Sequence, residues 1–151
     1  MTAITGDLDG SGLRIAVARA RFNKQVTDGL LDGALEALLA VGVAPPTLVE
    51  VPGAFDLPLV VRRLAEQDHD AVVAIGAVIE GETDHYEHVA HRATEGLMQV
   101  MLATGVPVTF GILTVRDPSH AFARSGPDER NKGKEAAVAA VELANLLRRL
   151  S

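Results

Sequence analysis

The chain has 151 residues, no cysteine and a formal net charge of −6. A length of this order corresponds to one domain with a core large enough to fold without staples. The lack of thiols excludes disulfides, thiolate metal sites and cysteine nucleophiles. The acidic balance argues against nucleic-acid and anionic-membrane partners, which call for clustered lysine and arginine. Histidine and carboxylates must then carry any proton chemistry, and small molecules are the expected partners. Met1 to Gly12 has two aspartates and no basic residue, unlike a secretory signal, and no apolar run approaches the ~20 residues of a membrane span. A soluble cytoplasmic chain is the expectation.

Leu13 to Ala18 reads as a strand, followed by a turn over Arg19-Ala20-Arg21-Phe22-Asn23 and a helix from about Gln25 to Val41. Leu30, Leu31, Ala34, Leu35 and Leu38 recur at helical spacing, and Gly42 with Pro45 and Pro46 ends the pattern. Thr47 to Val51 is a short second strand. Pro52-Gly53-Ala54-Phe55-Asp56-Leu57-Pro58 breaks the chain, and a second helix spans Leu57 to Gln67, with Asp56 its expected N-cap. Ala71 to Ile79 is a strand rich in Val and Ile, as a strand covered on both faces requires.

A long helix is predicted from Thr83 or Asp84 to about Ala103, a fourth strand over Pro107 to Thr114, and a short helix near Ser119 to Arg124. The loop Ser125 to Arg130 leads to Asn131, the expected cap of a last helix reaching Arg149. Strands alternating with helices imply an α/β fold: a three-layer, flavodoxin-like sandwich with a four-stranded parallel sheet flanked by helices. The apolar fraction of 48% with only 3% aromatics fits either extensive subunit contacts or an alanine-rich core.

Three strand-to-helix turns carry residues that a purely structural loop does not require: Phe22-Asn23, Ala54-Phe55-Asp56 and Glu82-Thr83-Asp84-His85. In a parallel sheet all three lie along one edge, where such folds bind ligands. Phe22 and Phe55 suit the two faces of a flat heterocycle, and Asn23 and Asp56 suit its hydroxyls; the competing reading is that each phenylalanine plugs a helix end. His85 suits a general base. The helix macrodipole favours its neutral form, whereas Glu82, Asp84 and Glu87 favour the cation, and a surface or capping role competes. A metal shared by His85, His88 and His91 is disfavoured, because His91 falls roughly 120° from His85 around a helix. Arg124 and Lys132 bracket a loop beside a helix start and suit a phosphate, against the plainer reading of solvated charge.

Taken together, Arg21-Phe22-Asn23, Pro52 to Pro58, Gly76-Ala77-Val78-Ile79, Gly81-Glu82-Thr83-Asp84-His85-Tyr86, Phe110-Gly111-Ile112-Leu113-Thr114 and Asn131 to Ala137 resemble the lumazine synthase family. The resemblance covers nearly the whole chain in order. It implies one domain over 1–151, with an arm over 1–12 that contacts a neighbouring subunit. It also implies condensation of 5-amino-6-ribitylaminouracil with 3,4-dihydroxy-2-butanone 4-phosphate to 6,7-dimethyl-8-ribityllumazine, the penultimate step of riboflavin biosynthesis, with no cofactor and no metal. A homo-oligomer of pentamers, extending to a 60-subunit icosahedral capsid, and association with riboflavin synthase are implied in the same way.

By the same resemblance, Phe22 stacks on the pyrimidine and Ala54, Val78 and Ile79 border the ring, with Phe55 and Ala77 also expected among the substrate-binding residues. Asn23 and Asp56 hold the ribityl chain, and Phe110 closes the pocket. Glu82, Thr83, Arg124 and Lys132 serve the phosphate, and His85 moves protons. The active site is expected between subunits, with Arg124 and Lys132 from one chain and His85 from the next. Glu80 stands where the family commonly has arginine, and Asp56 is shorter than the usual glutamate. The alternative is a paralogue that binds flavin or lumazine, or builds a shell, without catalysis.

Overall fold

A computed structural model describes residues 1–151. In chain order it comprises β1 (Ile15–Ala20), α1 (Lys24–Ala40), β2 (Thr47–Val51), a 3-10 turn (Ala54–Asp56), α2 (Leu57–Ala65), β3 (Ala71–Ile79), α3 (His85–Thr104), β4 (Val108–Val115), α4 (Pro118–Ala123) and α5 (Lys132–Leu150). The four strands form one all-parallel sheet in the order β2-β1-β3-β4. The predicted α/β sandwich is therefore the observed one.

Alternation along the buried strands builds the three layers. Ile15, Val17, Val73, Ile75 and Leu113 point to one face and pack with residues of α1 and α5, among them Leu30, Leu38, Ala137 and Val141. Ala16, Ala18, Val72, Ala74 and Ile112 point to the other, against Leu57, Val61 and Leu64 of α2 and Ala93, Leu97 and Val100 of α3. Alanine supplies much of both cores, which lets the helices sit close to the sheet. Even so, Leu39, Leu59, Met98, Leu102 and Phe122 remain exposed on the outer faces of their helices.

Helix α1 meets the start of α5 and the loop before it more closely than side chains with a Cβ allow at three points. A Cβ on Gly133 would lie 1.9 Å from the carbonyl oxygen of Leu30, one on Gly29 2.1 Å from that of Ser125, and one on Gly33 2.4 Å from Asn131 Oδ1. The segment before β1 is laid along α5: Asn145 Nδ2 donates to the carbonyl oxygens of Asp7 and Asp9, and Arg149 donates to that of Thr5. Ile4 and Leu8 of this segment face outward.

Two local expectations are corrected. Arg19 and Ala20 form the end of β1 rather than a turn. The Arg19 guanidinium is buried and bound to Asp28 of α1 and Glu50 of β2, so its charge is neutralised within the strand. Asp56 does not cap α2 with its side chain; instead Oδ2 accepts from the Gly53 backbone N–H at 3.0 Å, closing the 3-10 turn. Asp84 stands at the N-cap position of α3 without a side-chain capping bond, and Thr83 Oγ1 accepts from the His85 N–H at 3.4 Å instead. Asn131 caps α5 as expected, its Oδ1 accepting from Lys134 N.

Candidate active site

Because every strand runs the same way, the segments after β1, β2 and β3 meet along one edge of the sheet. The chain moves outward to β2 from β1 and outward to β4 from β3, so the crevice between β1 and β3 is the switch point at which open parallel sheets take ligands. A cavity of ≈ 570 Å³ lies there. It is lined by Phe22 and Asn23 after β1, Ala54, Phe55 and Asp56 after β2, Ala77, Val78 and Ile79 at the end of β3, and His85 at the start of α3.

The turn that carries Phe22 and Asn23 is built from the backbone outward. Asn23 has φ 61°, in the left-handed region that asparagine tolerates better than most residues, and its Nδ2 donates to the Ala77 carbonyl at 3.0 Å. One residue therefore bends the chain and ties the β1–α1 turn to the end of β3. Phe22 is left 70% exposed and Phe55 62% exposed, so neither is a core plug. Two uncovered aromatic rings at a cavity mouth provide faces for a planar ligand. Beneath them, Arg19 sets the base of the turn. Desolvation is the largest influence on this guanidinium and works against its charge, but the hydrogen bonds it donates to Asp28 and Glu50, with their negative charge, together overcome it and hold Arg19 charged. The same contacts hold the carboxyls of Asp28 and Glu50 below their ordinary range, with Lys24 adding a second bond to Asp28.

Pro52, Gly53, Tyr86, His88 and Val89 also line this cavity and were not among the expected site residues. His85, His88 and Val89 share a helix face at spacings of three and four, a signal present in the sequence once the helix start is known. His88 Nε2 lies 3.3 Å from Asp84 Oδ2. His91 turns away, into a separate shallow hollow with Glu87, Arg92 and Glu95.

A second cavity, of ≈ 530 Å³, opens along the sheet's edge strand. Phe110, Ile112, Leu113, Thr114 and Val115 of β4 form its floor, and Arg124, Arg130, Lys132 and Glu135 form its charged side. The Lys132 N–H donates to the Arg124 carbonyl at 2.9 Å, so the two cations flank one closed loop. Arg124 Nη1 donates to the His120 carbonyl, and Lys132 Nζ lies 3.1 Å from Glu135 Oε1. Arg130 and Glu135 were not foreseen.

The model of the 6,7-dimethyl-8-ribityllumazine synthase family matches residues 12–148. The chain belongs to the 6,7-dimethyl-8-ribityllumazine synthase family. A protein of that name from Kineococcus radiotolerans is 51% identical over 144 residues, covering 94% of this chain and 89% of the relative. One from Thermus thermophilus is 50% identical over 147 residues, 95% of this chain and 94% of the relative, and one from Thermococcus kodakarensis is 46% identical over 148, 97% and 94% respectively.

Within this lumazine synthase family chain the expected site residues fall into two sets that share no cavity. Phe22, Asn23, Ala54, Phe55, Asp56, Ala77, Val78, Ile79 and His85 come together in the first, and Phe110, Arg124 and Lys132 in the second. Glu82 and Thr83 line neither and stand on the exposed turn after β3. The first set presents apolar faces and a histidine but no arginine or lysine; the second presents cations and an aromatic ring but no histidine. Glu80, on the same turn as Thr83, is paired with Arg116 at 3.4 Å, so a cation stands beside the reversed charge.

Proposed function

We propose that this chain catalyses the condensation of 5-amino-6-ribitylaminouracil with 3,4-dihydroxy-2-butanone 4-phosphate to 6,7-dimethyl-8-ribityllumazine in riboflavin biosynthesis, the activity that its relatives' names carry. The observation that supports this reading best is the complementarity of the two cavities: one offers exposed aromatic faces beside a histidine, the other paired cations. A ring-bearing amine and a phosphate-bearing ketone need those two environments side by side.

The division of labour follows from the chemistry. The pyrimidine stacks against Phe22 and Phe55, bordered by Ala54, Ala77, Val78 and Ile79. The free oxygen of Asn23 and the second carboxylate oxygen of Asp56 accept from ribityl hydroxyls. The amine adds to the ketone, water leaves and an imine forms; loss of phosphate and ring closure with loss of a second water complete the lumazine. His85 accepts and returns protons in these steps. Arg124 and Lys132 bind the phosphate in both bound and leaving forms, with Thr83 and the Glu82 turn alongside and Phe110 closing the pocket. Holding amine and ketone at attack distance supplies much of the acceleration by itself.

Because the cavities are separate within one chain, the working site joins the cationic set of one copy to the histidine set of its neighbour. A ring of five copies satisfies every site at once, and further rings close into a 60-subunit shell that associates with riboflavin synthase. The exposed Leu59, Met98 and Leu102, and the outward Ile4 and Leu8 of the arm over 1–12, supply apolar surface for those contacts. The whole of 1–151 acts as one domain in the cytoplasm. No helix is long and apolar enough to cross a membrane.

The test is the rise of lumazine absorbance with both substrates, corrected for the uncatalysed reaction. Arg124→Ala is expected to raise KM for the ketone phosphate on the order of tenfold or more. His85→Ala should lower kcat by about a hundredfold, leaving the proximity contribution. No acceleration above background by the wild-type protein would overturn the assignment.

A further inference from the structure

The loop that carries the cations is held by one buried side chain. Asn131 is 2% exposed, and both of its amide protons and its oxygen are used. Nδ2 donates to the Gly29 carbonyl of α1 at 3.0 Å and to the Gly126 carbonyl at 2.9 Å, while Oδ1 accepts from the Lys134 N–H at 3.0 Å. The distant helix α1, the start of the loop and the first turn of α5 are thereby tied to a single planar group. Gly33 leaves the space for it, since a Cβ there would lie 2.4 Å from Oδ1.

Capping alone does not account for this arrangement. A helix N-cap needs one acceptor, which Ser, Thr or Asp supplies as well as Asn. Donation to two carbonyls needs an amide: a carboxylate at the same place would face two carbonyl oxygens, and a hydroxyl reaches at most one. The chemistry selects Asn, and what the two extra bonds govern is the path of the loop from Ser125 to Arg130. Arg124 lies at one end of that loop and Lys132 at the other, joined by the Lys132 N–H to Arg124 carbonyl bond. A buried polar group with every bond satisfied has one favoured orientation, so the backbone on both sides inherits it.

We infer that Asn131 is the positioning residue of the cationic half-site, setting the spacing of Arg124 and Lys132 and through them the affinity for a phosphate group. The inference rests on the phosphate role proposed above for that half-site. Displacing charged ligands of this kind by about 1 Å is enough to change binding by an order of magnitude or more.

The experiment compares the full-length wild type with Asn131→Ser and Asn131→Asp. Asn131→Ser keeps the cap acceptor and leaves at most one of the two donations; Asn131→Asp keeps shape and cap and replaces the donors with acceptors. KM is measured separately for the ketone phosphate and for the pyrimidine, together with the dissociation constant of inorganic phosphate and Tm. Both variants are expected to raise KM for the ketone phosphate, and the dissociation constant of inorganic phosphate, about tenfold, with KM for the pyrimidine within about twofold of wild type. A lowered Tm with unchanged phosphate binding, or a parallel rise in both KM values, would overturn the inference and leave Asn131 a stability residue. The phosphate titration separates this result from the wider reading: a wild type that binds phosphate through an Asn131-dependent site but does not condense the substrates refutes the proposed reaction and not the positioning role.

Discussion

Replacing Gly133 by alanine sets two effects of opposite sign against each other, and the structure decides between them. Gly133 lies in the first turn of α5, where intrinsic propensity alone favours alanine over glycine by about 1 kcal/mol. The added Cβ, however, would stand 1.9 Å from the Leu30 carbonyl oxygen, more than 1 Å inside the 3.0 Å that real Cβ contacts respect, and 2.7 Å from the Leu30 carbonyl carbon. The obstacle is backbone of α1, not the flexible end of a side chain, so relief requires the two helices to separate by about 1 Å. Overpacking of that kind costs about 3 kcal/mol in a close-packed interior, and the neighbouring Gly29 and Gly33 contacts would loosen with it. The balance is a net loss of roughly 2 kcal/mol, or about 6 °C in Tm for a chain of this length. The assay is thermal unfolding followed by circular dichroism, at one fixed protein concentration because assembly makes Tm concentration-dependent. A Tm equal to or above that of wild type would refute the reasoning, since it would mean that the crossing yields to a methyl group and propensity wins.

Thr109 on β4 is 5% exposed, and its hydroxyl is the one buried side-chain polar atom without a hydrogen-bond partner. Thr109→Val keeps the shape, removes an unsatisfied group and is expected to raise Tm by a few degrees, about 1 kcal/mol; a fall would reveal a partner for the hydroxyl. Acid should act through the Arg19 network. The Asp28 and Glu50 carboxyls are held low in the folded chain, so the stability they contribute is present above their unfolded-state range and is lost as pH falls through the depressed folded values. Stability should therefore decline below about pH 4, and Arg19→Met should flatten that decline; an equally steep acid transition in the variant would exclude these two groups as its origin. The Glu80–Arg116 pair is exposed on both sides, so Glu80→Ala should change Tm by less than about 3 °C. A larger loss would place the pair inside a subunit contact.

Several elements were legible because their signals are local. The Val- and Ile-rich run from Ala71 to Ile79 reads as a doubly covered strand in any context, and Asn131 reads as a cap because capping depends only on the next three residues. Phe22 and Phe55 were legible as cavity-lining residues because they sit in strand-to-helix turns beside Asn23 and Asp56. The reading of Arg19 as a turn residue failed because the partners that hold it in the strand, Asp28 and Glu50, lie 9 and 31 positions away. Asp56 was misplaced by the competition between two local bonds: the Gly53 N–H three residues earlier captures its carboxylate before α2 begins.

What the sequence by itself determined is the alternation of strands and helices, the sheet edge that carries the polar turns, and the family, since periodicity, turn chemistry and ordered motifs are written in neighbouring residues. Only the tertiary structure decided that the expected site residues divide into two cavities. That division depends on β4 lying at the outer edge of the sheet, with Phe110, Arg124 and Lys132 beside it, while β3 delivers His85 to the crevice next to β1. It also decided that Asn131 does more than cap, because the carbonyl of Gly29 lies 102 residues away and reaches it only where α1 and α5 cross on glycine.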